Sequence, residues 1–180
     1  MIRLSIHLDV ASAKWKRAFP GMNKKIEQAA ACAFLNARKP AALQRRCFTL
    51  SIILTDDSNI KTLNKNYRGK NKPTNVLSFP QMNLKNFRRA SLDIFPPKSE
   101  IPLGDIVLAF QTIHRESKKQ KKTLESHVIH LIVHGTLHLL GYDHQTAKEA
   151  DSMEKLECDI LDSLGYPDPY RESPVKKTGH

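Results

Sequence analysis

The sequence predicts an α/β fold, a small sheet packed against five or six helices, and three observations lead there. Four short segments, residues 3–9, 48–55, 76–79 and 103–110, are apolar or β-branched and have the length of strands. Longer segments between and after them have helical composition or a helical apolar spacing. Glycine and proline punctuate the joints, and no repeat, low-complexity tract or linker divides the 180 residues. A chain of this length with 40% apolar residues suits one domain around one core.

Residues 3–9 alternate and read as the first strand. Residues 22–38, rich in Ala, Lys, Gln and Glu, read as a helix ending before Pro40. Phe48–Thr55 is the second strand, and Asp56-Asp57-Ser58 offers caps for a helix reaching about Tyr67. A basic loop follows, Arg68-Gly69-Lys70-Asn71-Lys72-Pro73-Thr74-Asn75. Val76–Phe79 is a short strand closed by Pro80. Residues 81–102, with Arg88-Arg89 and Pro96-Pro97, read as a long loop. Leu103–Phe110 is a fourth strand, and the helix after it fades at Lys118–Lys122. Residues 123–140 form the most apolar helix, stopped by Gly141. Residues 147–164 form an acidic amphipathic helix with Met153, Leu156, Ile160 and Leu164 on its core face, ended by Gly165. The tail from Pro167 to His180 is expected to be mobile.

The start lacks the apolar stretch of a secretory signal, and no run reaches the roughly 18 apolar residues of a membrane span, so a soluble intracellular protein is expected. Cys32, Cys47 and Cys158 are odd in number and far apart, which predicts buried free thiols rather than a disulfide framework. The formal charge of +11 is uneven. Residues 1–140 carry 24 Lys/Arg against 9 Asp/Glu, and residues 141–180 carry 5 against 9. A basic body suits a polyanion such as RNA or DNA, or is simply a basic soluble surface.

The segment that carries chemistry is His134-Gly135-Thr136-Leu137-His138-Leu139-Leu140-Gly141-Tyr142-Asp143-His144. His134 and His138 are four apart on a helix, so both imidazoles leave one face. Gly141 permits a sharp turn that can return His144 to that face. Three neutral imidazoles leave one tetrahedral position open, as in a catalytic rather than a structural zinc site. The alternative is a buried helix that happens to contain histidines. The spacing HxxxHxxxxxH is that of metzincin proteases, but the position of their general-base Glu is Gly135 here, which argues against peptide hydrolysis. His130 is a rival ligand. Three histidines on consecutive turns rise by about 6 Å per step and cannot converge on one ion, so His130 is read as supporting the site or lining the groove. His127 and His114 are expected to face solvent. Near such a metal, Arg68, Lys70 and Lys72 can bind phosphate, Arg bidentately and Lys as a point charge, or form a solvated turn.

HGTLHLLGYDH closely resembles the signature of the YbeY family of bacterial endoribonucleases and rRNA maturation factors. Tyr67–Pro80 resembles a second family motif and Leu103-Gly104-Asp105-Ile106 a third, and the run Ala150–Gly165 with Gly165–Tyr170 also fits, so the resemblance spans about residues 50–170. It implies a mixed four-stranded sheet packed with helices, and a single metal-dependent endoribonuclease domain over residues 1–165 with a flexible tail over 166–180. It also implies one zinc ion per chain held by His134, His138 and His144. Arg68 then matches the catalytically important arginine beside the catalytic His134, and Lys70 its companion in substrate binding. The implied substrate is single-stranded RNA, with work on the 3′ end of 16S rRNA and in late ribosome quality control. The implied partners are the small ribosomal subunit with its assembly proteins or GTPases, in the cytoplasm and away from membranes. The nucleophile is an activated water or the RNA 2′-hydroxyl. Asp143 and Asp105 are candidate proton acceptors, though Asp143 can cap the turn and Asp105 can bind backbone. Two rival readings are a metalloprotease and a non-catalytic, zinc-containing ribosome assembly factor.

Overall fold

The computed structural model describes residues 3–43, 46–82, 84, 95–96 and 99–171. Four strands form one sheet in the order β1-β2-β4-β3. β1 (Arg3–Val10), β2 (Cys47–Thr55) and β4 (Glu100–Ala109) run parallel, and β3 (Val76–Pro80) is an antiparallel edge. The helices are α1 (Ala13–Ala18), α2 (Met22–Asn36), α3 (Asp57–Arg68), α4 (Phe110–Lys119), α5 (Leu124–Leu139) and α6 (Ala147–Ser163), with a 3₁₀ turn at Ala41–Leu43. This is the mixed sheet with six helices that the sequence leads one to expect.

Alternation in the strands divides the core. Phe48, Leu50, Ile52 and Leu54 of β2 face one way with Ile106 and Leu108 of β4, into a core shared with α2 and α5, on which α6 packs in turn. Ile53, Val107, Ala109, Leu77 and Phe79 face the other way, against Ile60 and Leu63 of α3. The larger cluster stabilises most, since each fully buried Leu, Ile or Phe contributes about 1.5–3 kcal/mol. On α6, Met153 and Ile160 are buried and Leu156 and Leu164 pack against the core, as the apolar spacing predicts.

Three local differences have physical causes. β4 begins at Glu100, three residues before Leu103, and so includes Pro102. The β2–β4 register shifts between Thr49 and Leu50, and β3 ends opposite Gly104, so only β2 flanks the proline, whose missing N–H is tolerated there. The unforeseen α1 is short and polar, anchored by one buried residue, Trp15, whose indole Nε1 donates to Thr55 O at 2.8 Å. The cysteines are free, but half-buried rather than buried.

Arg88-Arg89, most of the expected 81–102 loop, and residues 172–180 lie outside the described residues. The first part of the expected tail is docked: Tyr166 Oη donates to Glu125, and Tyr170 Oη donates to Glu157. Among the described residues no helix is long and apolar enough to cross a membrane.

Candidate metal centre

α5 starts at Thr123, whose hydroxyl accepts the Ser126 N–H, and then runs through fully buried Val128, Ile129, Ile132, Val133 and Leu137. It lies across β3 and β4 and against α2, α4 and α6. Gly135 faces the sheet. A Cβ there would lie 3.1 Å from both Ile106 Cγ2 and Ser78 Oγ. The position beside His134 thus faces the sheet, and any side chain there crowds Ile106 and Ser78. This is the steric counterpart of the missing protease base.

The end of α5 turns sharply. Gly141 has φ 90°, Gly141 N donates to His138 O at 3.0 Å, and Tyr142 N donates to Leu137 O at 3.1 Å. This Schellman pattern closes the helix on a left-handed residue that glycine adopts without a Cβ penalty. The Tyr142 hydroxyl accepts the Arg38 N–H at 3.0 Å and ties the bend to the end of α2. Asp143 Oδ1 accepts the His144 N–H at 2.9 Å, which is the turn-capping role. A capping box between Thr146 and Glu149 then starts α6.

The bend brings the three imidazoles together. Ring centroids are 4.5 Å apart for His134–His138, 5.0 Å for His138–His144 and 5.7 Å for His134–His144. One ring nitrogen from each lies within 4.8 Å of the others, a grouping that can hold a metal ion. The protons can be assigned from the partners. His138 Nδ1 lies 3.0 Å from the Tyr142 carbonyl, and His134 Nδ1 lies 2.8 Å from Glu157 Oε1. Both partners accept, so both Nδ1 atoms donate, and the two Nε2 atoms meet at 3.0 Å. Two ring nitrogens this close need a proton or a metal cation between them. Nitrogens about 2.0 Å from one tetrahedral ion lie about 3.3 Å apart, close to this spacing. Burial, reinforced by the neighbouring His134, pushes His138 from the ordinary 6.5 down to about 4, so it is neutral and ready to coordinate near pH 7.

Behind these rings lies Glu157 of α6, wholly buried, with His130 Nε2 at 2.9 Å from its Oε2. Burial alone would raise its pKa, but hydrogen bonds from His130, His134 and Tyr170 outweigh this and hold the carboxylate at about 2. His130 thus supports the site, in keeping with the pitch argument. His127 departs from expectation. It is 4% exposed, bonded through Nε2 to Glu116 Oε2, and does not face solvent. The ladder of buried residues around α5 explains this, because α4 covers that face. His114 is half-buried with its ring stacked 5.6 Å from Phe110.

A cavity of about 880 Å³ opens on the histidines, lined by Arg68, Thr74, Asn75, Ser78 and Asp143 as well as all three rings. Arg68, the last residue of α3, is the basic residue that reaches it. Lys70 is exposed and is not among the described lining residues. Asn64 holds this loop down, donating through Nδ2 to Lys72 O at 2.8 Å and accepting the Lys70 N–H at its carbonyl. Asp105 accepts from Gln81 Nε2 at 3.2 Å and does not line the cavity. Two supporting residues were not singled out from sequence, Asn64 and Glu157. Each is a polar residue at a buried helical position, and that misplacement is the signal that could have found them.

Three imidazoles that could hold a metal ion open on an arginine-lined cavity, and the position of a peptidase's helical glutamate base is Gly135. The family described as Endoribonuclease YbeY matches residues 11–165, and the chain belongs to that family, whose members are hydrolases acting on RNA. It is 42% identical over 166 residues to the endoribonuclease YbeY of Chelativorans sp., covering 92% of this chain and 93% of that one. It is 41% identical over 175 residues to that of Paramagnetospirillum magneticum, covering 95% and 98%. A third relative, from Nitrobacter winogradskyi, is 52% identical over 121 residues, 67% of this chain and 60% of that protein.

Proposed function

We propose that this chain is a zinc-dependent endoribonuclease that cleaves single-stranded RNA in the maturation of small-subunit rRNA, at the 16S 3′ end, and in late ribosome quality control. The observation that carries the reading is the convergence of one ring nitrogen each from His134, His138 and His144, all within 4.8 Å of one another, with the first two 3.0 Å apart. An all-imidazole set suits zinc, and three ligands leave room for substrate or water. When bound, the ion supplies Lewis acidity, by which a phosphate oxygen is polarised or a water activated.

The protein's own groups do the rest. Arg68 binds the phosphate across the cavity from the histidines and neutralises charge as it builds there. Lys70, one residue beyond the helix cap, attracts the flanking backbone as an exposed point charge. Burial keeps His138 neutral, and the Tyr142 carbonyl keeps its ring aimed. Asp143 is committed in part to the turn. The nucleophile is an activated water or the RNA 2′-hydroxyl, and with either one a proton leaves the attacking oxygen and one is delivered to the departing 5′-oxygen. The catalytic domain covers residues 1–165. The charge of +11 supports docking on the small ribosomal subunit, with its assembly proteins or GTPases, in the cytoplasm.

The test is metal analysis and cleavage of a single-stranded RNA by the pure protein, beside His134→Ala prepared in parallel. One zinc per chain and RNA cleavage are expected, both lost in the variant. Equal cleavage by the two preparations refutes the assignment of the activity to this centre.

A further inference from the structure

Glu157 is a carboxylate with no exposed surface, set on α6 between Met153 and Ile160 in an otherwise apolar face. Burying a carboxylate costs several kcal/mol unless its oxygens are fully bonded. Here they are. Oε1 lies 2.8 Å from His134 Nδ1, and Oε2 takes His130 Nε2 at 2.9 Å and the Tyr170 hydroxyl. An ionised carboxylate only accepts, so each of these partners donates.

We infer that Glu157 is a positioning residue for the metal centre: it holds the proton on His134 Nδ1, so that Nε2 of that ring is left bare towards His138 and His144. His130 and Tyr170 act one step further out, fixing the carboxylate through its other oxygen. A ligand histidine anchored by a carboxylate loses rotational freedom and becomes a better donor to the metal. His138 is anchored differently, by the Tyr142 carbonyl, so the two helical ligands are held by acceptors on different elements. Tyr170 adds a consequence for the chain's end. Its ring packs 5.5 Å from His130, so residues beyond α6 contribute to the geometry of the metal.

The inference rests on the three-histidine reading, and its test separates the two. Zinc affinity is measured by competition with a chelating dye for the unmodified protein, Glu157→Gln, Tyr170→Phe and His138→Ala. Glutamine keeps the shape but turns one oxygen into a donor, so one partner of the carboxylate must go unpaired. Zinc binding is expected to weaken 10–100-fold in Glu157→Gln, with an altered visible spectrum of the cobalt-substituted protein, and less than 10-fold in Tyr170→Phe. Full affinity in Glu157→Gln, with loss in His138→Ala, overturns this inference alone. Retention of zinc in His138→Ala overturns the reading beneath it. Should Glu157→Gln fail to fold, nitrogen-15 NMR of the unmodified zinc-bound protein decides. A protonated His134 Nδ1 protected from solvent exchange is expected. Coordination through that Nδ1, or a second zinc ion held by His130, His134 and Glu157, overturns the inference.

Discussion

His138 Nδ1 donates to the carbonyl of Tyr142, 3.0 Å away and four residues on, across the bend at Gly141. One turn thus does two things: it orients the second imidazole and carries His144 round to the first two. Gly141→Ala places a Cβ on a residue with φ 90°. The expected cost is about 1–2 kcal/mol. A wider bend releases His138 as well as His144, so zinc content should fall more than the melting temperature alone suggests. Calorimetry beside metal analysis checks this, and full zinc occupancy in the variant contradicts it.

Arg68 lines the cavity, and no hydrogen bond among the described residues joins it to His134, His138 or His144. Arg68→Ala should keep one zinc per chain and its fold while cleavage of single-stranded RNA falls by about 100-fold or more, the scale of losing one charge-stabilising donor. Arg68→Lys should recover only part, since a point charge does not replace a bidentate fork. Lys70→Ala, outside the cavity, should lower activity by less than 10-fold and mainly at low salt, because at high salt the long-range attraction is already screened. Zinc loss in Arg68→Ala tells against the division of roles.

Gly135 tests the distinction from proteases. A Glu at this position meets Ile106 and Ser78 at distances that already crowd a Cβ. Gly135→Glu should therefore destabilise the protein by about 3 kcal/mol or more, through overpacking and a buried charge. It should not confer casein hydrolysis, because the side chain leaves the helix towards the sheet. A stable variant that cleaves casein counters the argument.

How much of this was legible in the sequence depended on whether a property is local. The helical spacing of His134 and His138, the turn at Gly141 and the core face of α6 are each set within a few residues, and the structure repeats them. Membership of the four strands was legible as well, while their order was not, because pairing β2 with β4 joins residues about 50 apart. The same limit hid Glu157. In sequence it is marked only by its place on the apolar face of α6, and the packing of α6 on α5 is what brings it to His134. His127 was misjudged for a related reason: which face of an apolar helix stays open depends on where α4 lies.

Acid should unfold the metal-free protein in two overlapping stages. His138 has its value depressed from 6.5 to about 4, chiefly by burial. The unfolded chain therefore takes up this proton first, and stability falls as the pH drops from about 6.5 towards 4. Glu157, held at about 2 against an ordinary 4.5, contributes stability that is present above pH 4.5 and lost as the pH falls towards 2. Partial exposure of His138 limits its share to about 2 kcal/mol. With zinc, protons compete with the metal for the imidazoles, so the stabilisation that zinc adds should be large at pH 7.5 and shrink by pH 5. Melting curves from pH 4.5 to 7.5, in chelator and in excess zinc, measure both effects. Chelated protein equally stable at pH 7 and pH 4.5 would mean that His138 is not held neutral by its surroundings. A zinc increment independent of pH would mean that the ion does not sit on these rings.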